Sequence, residues 1–185
     1  MVNENLTSTL LIAPPAIKTG FWSKSVVLVT EHHSNGSVGL IINKKSQVSL
    51  KEFGYQLGLP LNVSGYVHVG GPINVRSLIL LHTSEWYSSN TLFLNSEISL
   101  SSDETILSRL SAGDFPARWR LFMGMCKWAP GQLEEEITGS YPKNQDISWC
   151  FASSNPQIIF GYDSTQQWSK ALDHSGLEFS RRILA

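Results

Sequence analysis

Residues 127–136 read Lys-Trp-Ala-Pro-Gly-Gln-Leu-Glu-Glu-Glu, and this segment joins a tight turn to the start of a helix. Pro130-Gly131 predicts the turn, and a short helix is expected over Gln132–Thr138, closed by Gly139. Leu133 and Ile137 are four residues apart, so both would face inward, while the acidic residues would stabilise the helix start electrostatically. The segment therefore predicts either a structural corner or part of a site.

Upstream, residues 25–43 predict a β-hairpin. Ser25–Thr30 and Val38–Ile42 are apolar, β-branched runs typical of buried strands. Asn35-Gly36 lies between them and tolerates the positive φ that a tight reversal requires. His32 and His33 are therefore expected near the hairpin tip.

The remaining pattern alternates short strands and helices without a regular βαβ period. Strands are predicted at 10–13, 66–69, 78–81, 92–94, 119–126, 147–151 and 157–160, and helices at 50–57, from a capping box at 101–104 to about 113, and at 164–174. A chain of 185 residues with 42% hydrophobic content buries roughly 70% of its unfolded surface as one compact unit. We therefore expect a single α+β domain over 1–185, with twisted, mainly antiparallel or mixed β-sheets and flanking short helices.

Charge and composition disfavour several classes of function. Fourteen Lys and Arg residues nearly balance fifteen Asp and Glu residues, and the formal net charge of −1 disfavours direct nucleic-acid binding. The apolar runs are far shorter than the roughly 20 residues that span a bilayer, and the N-terminus lacks a signal-peptide pattern. Cys126 and Cys150 are expected as free thiols in a reducing compartment, so the sequence predicts a cytoplasmic protein.

Seven short motifs occur in a specific order along nearly the whole chain. They are Leu11-Ile-Ala-Pro14, Ser25-Val26, Glu31-His32, Gly39-Leu-Ile-Ile-Asn-Lys44, Gly70-Gly71-Pro72, Leu81-His82-Thr83 and Trp128-Ala-Pro-Gly-Gln-Leu-Glu-Glu-Glu136. In this order the chain resembles the AlgH/YqgE family of bacterial proteins, whose biochemical role is poorly defined. The resemblance implies a coiled, branching β-sheet with flanking helices, and some relatives carry the label of transcriptional regulator.

The resemblance and the loop chemistry together indicate eleven candidate binding residues, with neither a cofactor nor a metal implied. They are His32, Asn43, Gly70, Gly71, Pro72, His82, Trp128, Gly131, Gln132, Glu134 and Glu136. Glu134 and Glu136 match the two acidic residues of the family's motif, and Glu134 is a candidate hydrogen-bond acceptor for Trp128 or for a turn amide.

Several of these residues also have a purely structural interpretation. Gly70-Gly71-Pro72 either cradles an anion or, as we favour, forms a bend between two strands, because Pro72 lacks an N–H donor. Trp128 is interpreted as a corner anchor rather than a stacking platform. The spacing of His32, His33, His68 and His82 does not require a metal site, and burial is favoured over reactivity for Cys126.

Two functions remain in competition. The first is a non-catalytic cytoplasmic protein that binds an unknown protein or small-molecule ligand, because distinctive loop residues occur without a recognisable catalytic set. The alternative is a small hydrolase in which His32 or His82 acts as a base with Glu134 or Glu136 orienting it. Direct DNA binding is a third hypothesis, which the charge balance disfavours.

Overall fold

The computed structural model describes residues 5–138 and 149–184, and for 179–184 it describes the backbone alone. Within these residues the chain forms an α+β fold. The strands are β1 (Thr9–Ile12), β2 (Val26–His33), β3 (Gly36–Ile41), β4 (Lys45–Ser49), β5 (Tyr66–Val69), β6 (Ile73–Thr83), β7 (Leu92–Phe93), β8 (Ile98–Ser101), β9 (Trp119–Trp128) and β10 (Cys150–Ser153). The helices are α1 (Leu50–Gln56), α2 (Ile106–Ser111), α3 (Gln132–Thr138), α4 (Pro156–Phe160) and α5 (Ser164–Leu184).

The strands form a curled sheet that branches at β9. Its main path runs β10-β1-β2-β3-β9-β6-β8-β7, while β5 pairs with both β4 and β9 away from that path. The β5–β9 pair is parallel, with His68 opposite Phe122, and the other strand pairs are antiparallel. The expected α+β class and mainly antiparallel, branching sheet are confirmed.

The predicted hairpin is present as β2 and β3. Val27 pairs with Ile41 and His33 pairs with Gly36, so His32 and His33 lie at the tip as expected. Gly36 has a φ of +119°, and a Cβ added there would lie 2.4 Å from the Trp128 carbonyl oxygen. The hairpin tip therefore packs directly on the end of β9.

Gly70 and Gly71 form the branch point of the sheet. The Gly70 N–H donates to the Met123 carbonyl at 2.9 Å, and the Gly70 carbonyl accepts from the Ile41 N–H at 2.8 Å. A Cβ on Gly70 would lie 2.3 Å from the Gly124 carbonyl oxygen, and one on Gly71 would lie 2.2 Å from the Met125 carbonyl carbon. The backbones of β3, of Gly70-Gly71 and of β9 thus lie so close together that a side chain at position 70 or 71 would clash. The bend that we favoured for Gly70-Gly71-Pro72 is observed.

Three hydrophobic clusters surround the sheet. The first includes Leu10, Leu28 and Phe122 of the sheet together with Ile159 of α4 and Ala171 of α5. The second lies on the other face and packs α3 against residues such as Val27 and Trp128. The third lies beneath α1 and α2. Among the described residues, a helix long and apolar enough to cross a bilayer is not found.

Arg120 of β9 connects the sheet to α5 and to the turn that precedes this helix. Its guanidinium donates to the carbonyl oxygens of Ile42 at 2.9 Å and Tyr162 at 2.8 Å, and to Gln167 Oε1 at 2.8 Å. Burial lowers the pKa of Arg120 to about 10, which still leaves the side chain charged at neutral pH. One half-buried cation therefore joins the end of β3 to α5 and the turn before it.

The C-terminal third departs from the sequence-based predictions. Residues 157–160 form α4 rather than a strand, because Asn155 Oδ1 caps the Ile158 N–H at 2.9 Å and Pro156 opens the first turn. Helix α5 continues through Gly176 to Leu184 instead of ending before this glycine. A strand was predicted at 147–151, of which residues 147 and 148 lie outside the described residues, and the observed strand is Cys150–Ser153. The predicted helix terminator Gly139 also lies outside the described residues.

Two predicted helix starts have different outcomes. Ser49 Oγ accepts the Glu52 N–H at 3.1 Å, so the first cap is confirmed. The second is wrong, because Ser101 ends β8 and Asp103 instead accepts the Thr105 N–H at 2.9 Å, delaying the helix to Ile106. Strands β4 and β8 were not predicted, since their sequences mix Ser with few β-branched residues.

Candidate functional site

His32 lies at the hairpin tip with its ring held by a neighbouring strand. The distance from His32 Nδ1 to Ser37 Oγ is 2.9 Å, and Ser37 pairs in register with Trp128. Only 10% of the His32 side chain is exposed. The imidazole is therefore oriented toward the end of β9 and the helix that follows it.

Glu134 of α3 faces this imidazole. Its Oε1 is 3.8 Å from His32 Nε2, and 47% of the Glu134 side chain is exposed. This distance exceeds the range of about 2.7–3.2 Å for an N–H···O hydrogen bond. The two groups therefore form an ion pair only when His32 is protonated, and Glu134 keeps access to solvent.

Glu136 is held by three donors from three parts of the chain. Its Oε2 accepts the indole N–H groups of Trp128 and Trp149, both at 3.1 Å, and its Oε1 accepts Gln132 Nε2 at 3.1 Å. Trp128, one of the two hydrogen-bond donors expected for Glu134, therefore donates to Glu136 instead, two residues further along α3. Through these hydrogen bonds Glu136 links the end of β9, α3 and the residue that immediately precedes β10.

An aromatic cluster surrounds this carboxylate. Trp22 stacks on Trp128 with ring centroids 6.4 Å apart and meets Trp149 edge-on at 5.4 Å. Trp128 and Trp149 are each 5% exposed, so Trp128 is a buried anchor, as interpreted from the sequence. Sequence reasoning missed Trp22 and Trp149, because no spacing pattern relates either residue to the Trp128 segment.

The turn before α3 is stabilised by its own residues. Gln132 Oε1 accepts the Ala129 N–H at 3.0 Å, and Gly131 has a φ of +76°, which favours glycine. Gln132 therefore bonds both the turn and Glu136. Gly131 and Gln132 have structural roles in forming the corner.

Asn43 also forms a corner between chain segments. Its Oδ1 accepts the Val26 N–H at 2.9 Å, and its Nδ2 donates to the Lys24 carbonyl at 2.8 Å. Gly70 and Gly71, which precede Pro72, approach the backbone of β9 closely at residues 124–126. Gly70 bonds to Ile41 at the end of β3, and Asn43 follows that strand, whereas His32 pairs with Ser37 at its beginning.

His82 is far from the acidic residues of α3. It pairs with Trp119 at the first residue of β9, whereas Trp128 is the last. Its Nε2 lies 3.0 Å from Ser101 Oγ, its Nδ1 lies 2.9 Å from the Thr83 carbonyl oxygen, and burial lowers its pKa. The part of the hydrolase hypothesis that paired His82 with Glu134 or Glu136 is therefore wrong.

Two other reactive residue types are buried in the sheet. Cys126 is 2% exposed, and burial raises the pKa of its thiol to about 12, which is consistent with an inert side chain. His68 is 5% exposed, and burial together with the charge of Arg120 lowers its pKa to about 4. Across residues 5–138 and 149–184, no group of three His, Cys, Asp or Glu residues is arranged to hold a metal ion.

We call the hairpin tip and the adjoining turn and helix start the rim: it consists of the exposed residues His33, Pro130, Glu134 and Glu135 and the largely buried imidazole of His32. The hairpin and the turn are in contact here, because a Cβ on Gly36 would lie 3.5 Å from the Pro130 nitrogen. The rim exposes His33, Glu134 and Glu135, while hydrogen bonds to Glu136 fix α3 and a hydrogen bond to Ser37 holds the His32 ring. Such a surface can exchange hydrogen bonds and ion pairs with a partner.

Comparison with known proteins places this chain among proteins of closely similar length and fold. Residues 10–180 match the family model described as AlgH-like. A UPF0301 protein from Gluconobacter oxydans is 34% identical over 172 residues, covering 90% of this chain and 89% of that protein. A UPF0301 protein from Methylococcus capsulatus is 31% identical over 181 residues, covering 96% and 93%.

Two solved structures share the fold. The solution structure of the AlgH protein from Pseudomonas aeruginosa superposes with a TM-score of 0.74 at 26% identity, covering 100% of this chain and 96% of that one. The crystal structure of protein DIP2367 from Corynebacterium diphtheriae gives a TM-score of 0.71 at 23% identity, with coverages of 91% and 86%. The second similarity shows the fold alone.

Proposed function

This chain belongs to the AlgH-like family, and on that premise we propose that it is a cytoplasmic protein that binds a protein or a small-molecule ligand without chemically converting it. The single observation that carries the proposal is the construction of the rim. Glu136 is occupied by three hydrogen bonds that fix α3, while the neighbouring Glu134 lies 3.8 Å from His32 and remains half exposed. Rigid support beneath exposed polar groups suits recognition of a partner.

A regulatory role through a partner is consistent with this surface. The rim carries carboxylates, and the net charge of the chain is −1, so phosphate contacts would gain little electrostatic energy. We therefore propose that any effect on transcription passes through a bound protein or ligand instead of direct DNA contact. The cytoplasmic location is supported by the two free thiols, Cys126 and Cys150.

Photo-crosslinking tests the proposal. A photoreactive amino acid replaces Glu135 on the rim in one variant and Glu52 on α1 in the control; both positions are exposed. We expect a discrete covalent adduct from position 135 in cells and none from position 52. The purified partner should then bind the wild-type chain and Glu52→Lys equally, and Glu134→Lys at least tenfold more weakly, about 1.4 kcal/mol.

The hydrolase using His32 and Glu134 remains a second candidate, favoured by the row of Ser37 Oγ, His32 and Glu134. Ser37 is only 3% exposed, which leaves its hydroxyl poorly placed to attack a substrate. A panel of ester, amide and phosphoester substrates distinguishes the two functions. Turnover that His32→Gln abolishes and His33→Gln retains would establish the enzyme and contradict the binding proposal.

A further inference from the structure

The loop after β6 forms an open concavity on a different part of the molecule from the rim. Its volume is about 480 Å³, and it is lined by Glu85, Trp86, Tyr87, Ser88, Ser89 and Arg109. Small-molecule sites commonly measure about 300–1,000 Å³. The concavity is therefore large enough for a ligand of nucleoside size.

The Leu81-His82-Thr83 motif, which the rim does not use, positions two of the lining residues. The His82 ring meets Trp86 edge-on, with centroids 5.1 Å apart and planes at 81°. The Thr83 hydroxyl donates to Glu85 Oε1 at 2.9 Å. Through these two contacts the motif at the end of β6 holds Trp86 and Glu85 in position in the lining of the concavity.

Arg109 of α2 is fixed by contacts that leave much of its guanidinium unused. Its central carbon lies 3.9 Å from the centroid of the Trp86 ring, and its Nε donates to Asp114 Oδ2 at 2.7 Å. Its Nη1 donates to the Tyr87 carbonyl oxygen at 2.7 Å. A guanidinium has five N–H donors. Among the described residues these two bonds occupy two of them, so three can donate to a ligand.

Glu85 supplies acceptor positions in the same concavity. Its Oε1 accepts the Ala117 N–H at 2.6 Å as well as the Thr83 hydroxyl. Partial burial acts to raise the pKa of Glu85, but these hydrogen bonds outweigh it and the pKa is lowered. An ionised carboxylate has about four acceptor positions, so it can still accept bonds from a ligand.

Flat surfaces complete the lining. Tyr87 is 70% exposed, and the Arg109 guanidinium lies over Trp86. Aromatic rings and arginine planes both stack on flat heteroaromatic rings. The concavity therefore combines stacking surfaces, arginine donors and a carboxylate acceptor.

From this combination we propose that the concavity binds a planar heteroaromatic ligand, such as a purine nucleoside, whose edge accepts hydrogen bonds from Arg109 and donates to Glu85. The carboxylates of Glu85 and Asp114 outnumber the single positive charge of Arg109. This balance favours a ligand without net negative charge, so the nucleoside should bind in preference to its phosphorylated form.

Titration of the isotope-labelled full chain by NMR tests the site. Guanosine offers a carbonyl acceptor and N–H donors on its ring edges, whereas purine riboside lacks those exocyclic groups. We expect saturable shifts in the amides of residues 85–89 and 109 with guanosine, and binding of purine riboside at least about fivefold weaker. Guanosine monophosphate should bind no more tightly than guanosine.

Two variants and one control locate the binding. Arg109→Lys removes the planar fork but keeps the charge, and Tyr87→Ala removes an exposed ring whose loss should leave the fold intact. Each should weaken guanosine binding about tenfold. Tyr55→Ala removes a ring that is 84% exposed on α1, and it should bind as the wild type does.

Any of four results would contradict the proposal. One is the absence of saturable shifts with guanosine at millimolar concentration. Another is equal binding of guanosine and purine riboside, because the ring edge would then not be recognised. The third is unchanged affinity in Tyr87→Ala, while much tighter binding of guanosine monophosphate would contradict the neutral character of the ligand.

Discussion

Glycine at position 70 shows how a single residue permits the branched sheet. Its missing side chain lets the β5–β6 bend approach Gly124 of β9, whose φ of +76° also favours glycine. Sequence reasoning correctly predicted a bend here. It could not predict that the bend would contact a strand more than fifty residues later, because no local pattern encodes that approach.

Gly70→Ala should destabilise the protein. The new Cβ would lie 2.3 Å from the Gly124 carbonyl oxygen, and the backbone must move to relieve the contact. We expect the free energy of unfolding to fall by about 1–3 kcal/mol, measured by urea denaturation. In Gly176→Ala, whose Cβ would enter open space on α5, it should rise by about 0.5–1 kcal/mol. Equal stabilities of the two variants would contradict this account.

His68 should make stability depend on pH. Its pKa is about 4 in the folded state and 6.5 in an unperturbed chain, because burial disfavours the charged ring. Between these values the unfolded state binds more protons, so stability falls as the pH decreases from 6.5 to 4. One pKa unit corresponds to about 1.4 kcal/mol, which gives a loss of roughly 3 kcal/mol.

The variant His68→Leu removes this titration. Among the described residues, neither ring nitrogen of His68 makes a hydrogen bond of normal geometry, although the Tyr66 backbone lies close enough to favour the charged ring. Leucine would therefore forfeit little hydrogen bonding, and the variant should be at least as stable as the wild type at neutral pH. Urea denaturation of both proteins at several pH values provides the comparison. An identical loss of stability on acidification in the two proteins would show that His68 is not responsible.

At the scale of elements, α3 is the best predicted part of the candidate site. The Pro-Gly turn and the four-residue spacing of Leu133 and Ile137 gave its bounds, Gln132–Thr138, correctly. The tertiary partners of its acidic residues were not predictable, because Trp149 lies beyond the end of the helix and Trp22 more than a hundred residues before it. For α4, the β-branched pair Ile158-Ile159 suggested a strand, and the Asn155-Pro156 cap outweighed that preference.

Glu136→Ala should loosen the corner around α3. It leaves the indole N–H groups of Trp128 and Trp149 without their acceptor in largely buried positions. We expect the free energy of unfolding to fall by about 2–4 kcal/mol. Denaturation monitored by circular dichroism and tryptophan fluorescence measures this loss. Glu135→Ala, on the exposed face of the same helix, should change it by less than about 0.5 kcal/mol. Similar losses in both variants would indicate a general effect on the helix.

At the scale of the whole molecule, Arg120 joins the sheet to the C-terminal helix. Arg120→Lys keeps the charge, but one ammonium group cannot reproduce three bonds from a planar fork to Ile42, Tyr162 and Gln167. We expect a loss of about 2–3 kcal/mol and faster amide hydrogen exchange in the first turns of α5. Arg118→Lys, at an exposed position immediately before β9, serves as the control. Unchanged exchange in α5 would argue against this coupling.

The branching at β9 also has a consequence for biosynthesis. Strand β9 pairs with β3, β5 and β6, all of which precede it in the chain. As the polypeptide leaves the ribosome, the backbone N–H and C=O groups with which these three strands later pair to β9 stay unpaired until Trp119–Trp128 has emerged. The newly made N-terminal portion should therefore depend on chaperones, and a ribosome stalled shortly before residue 119 should hold an aggregation-prone chain.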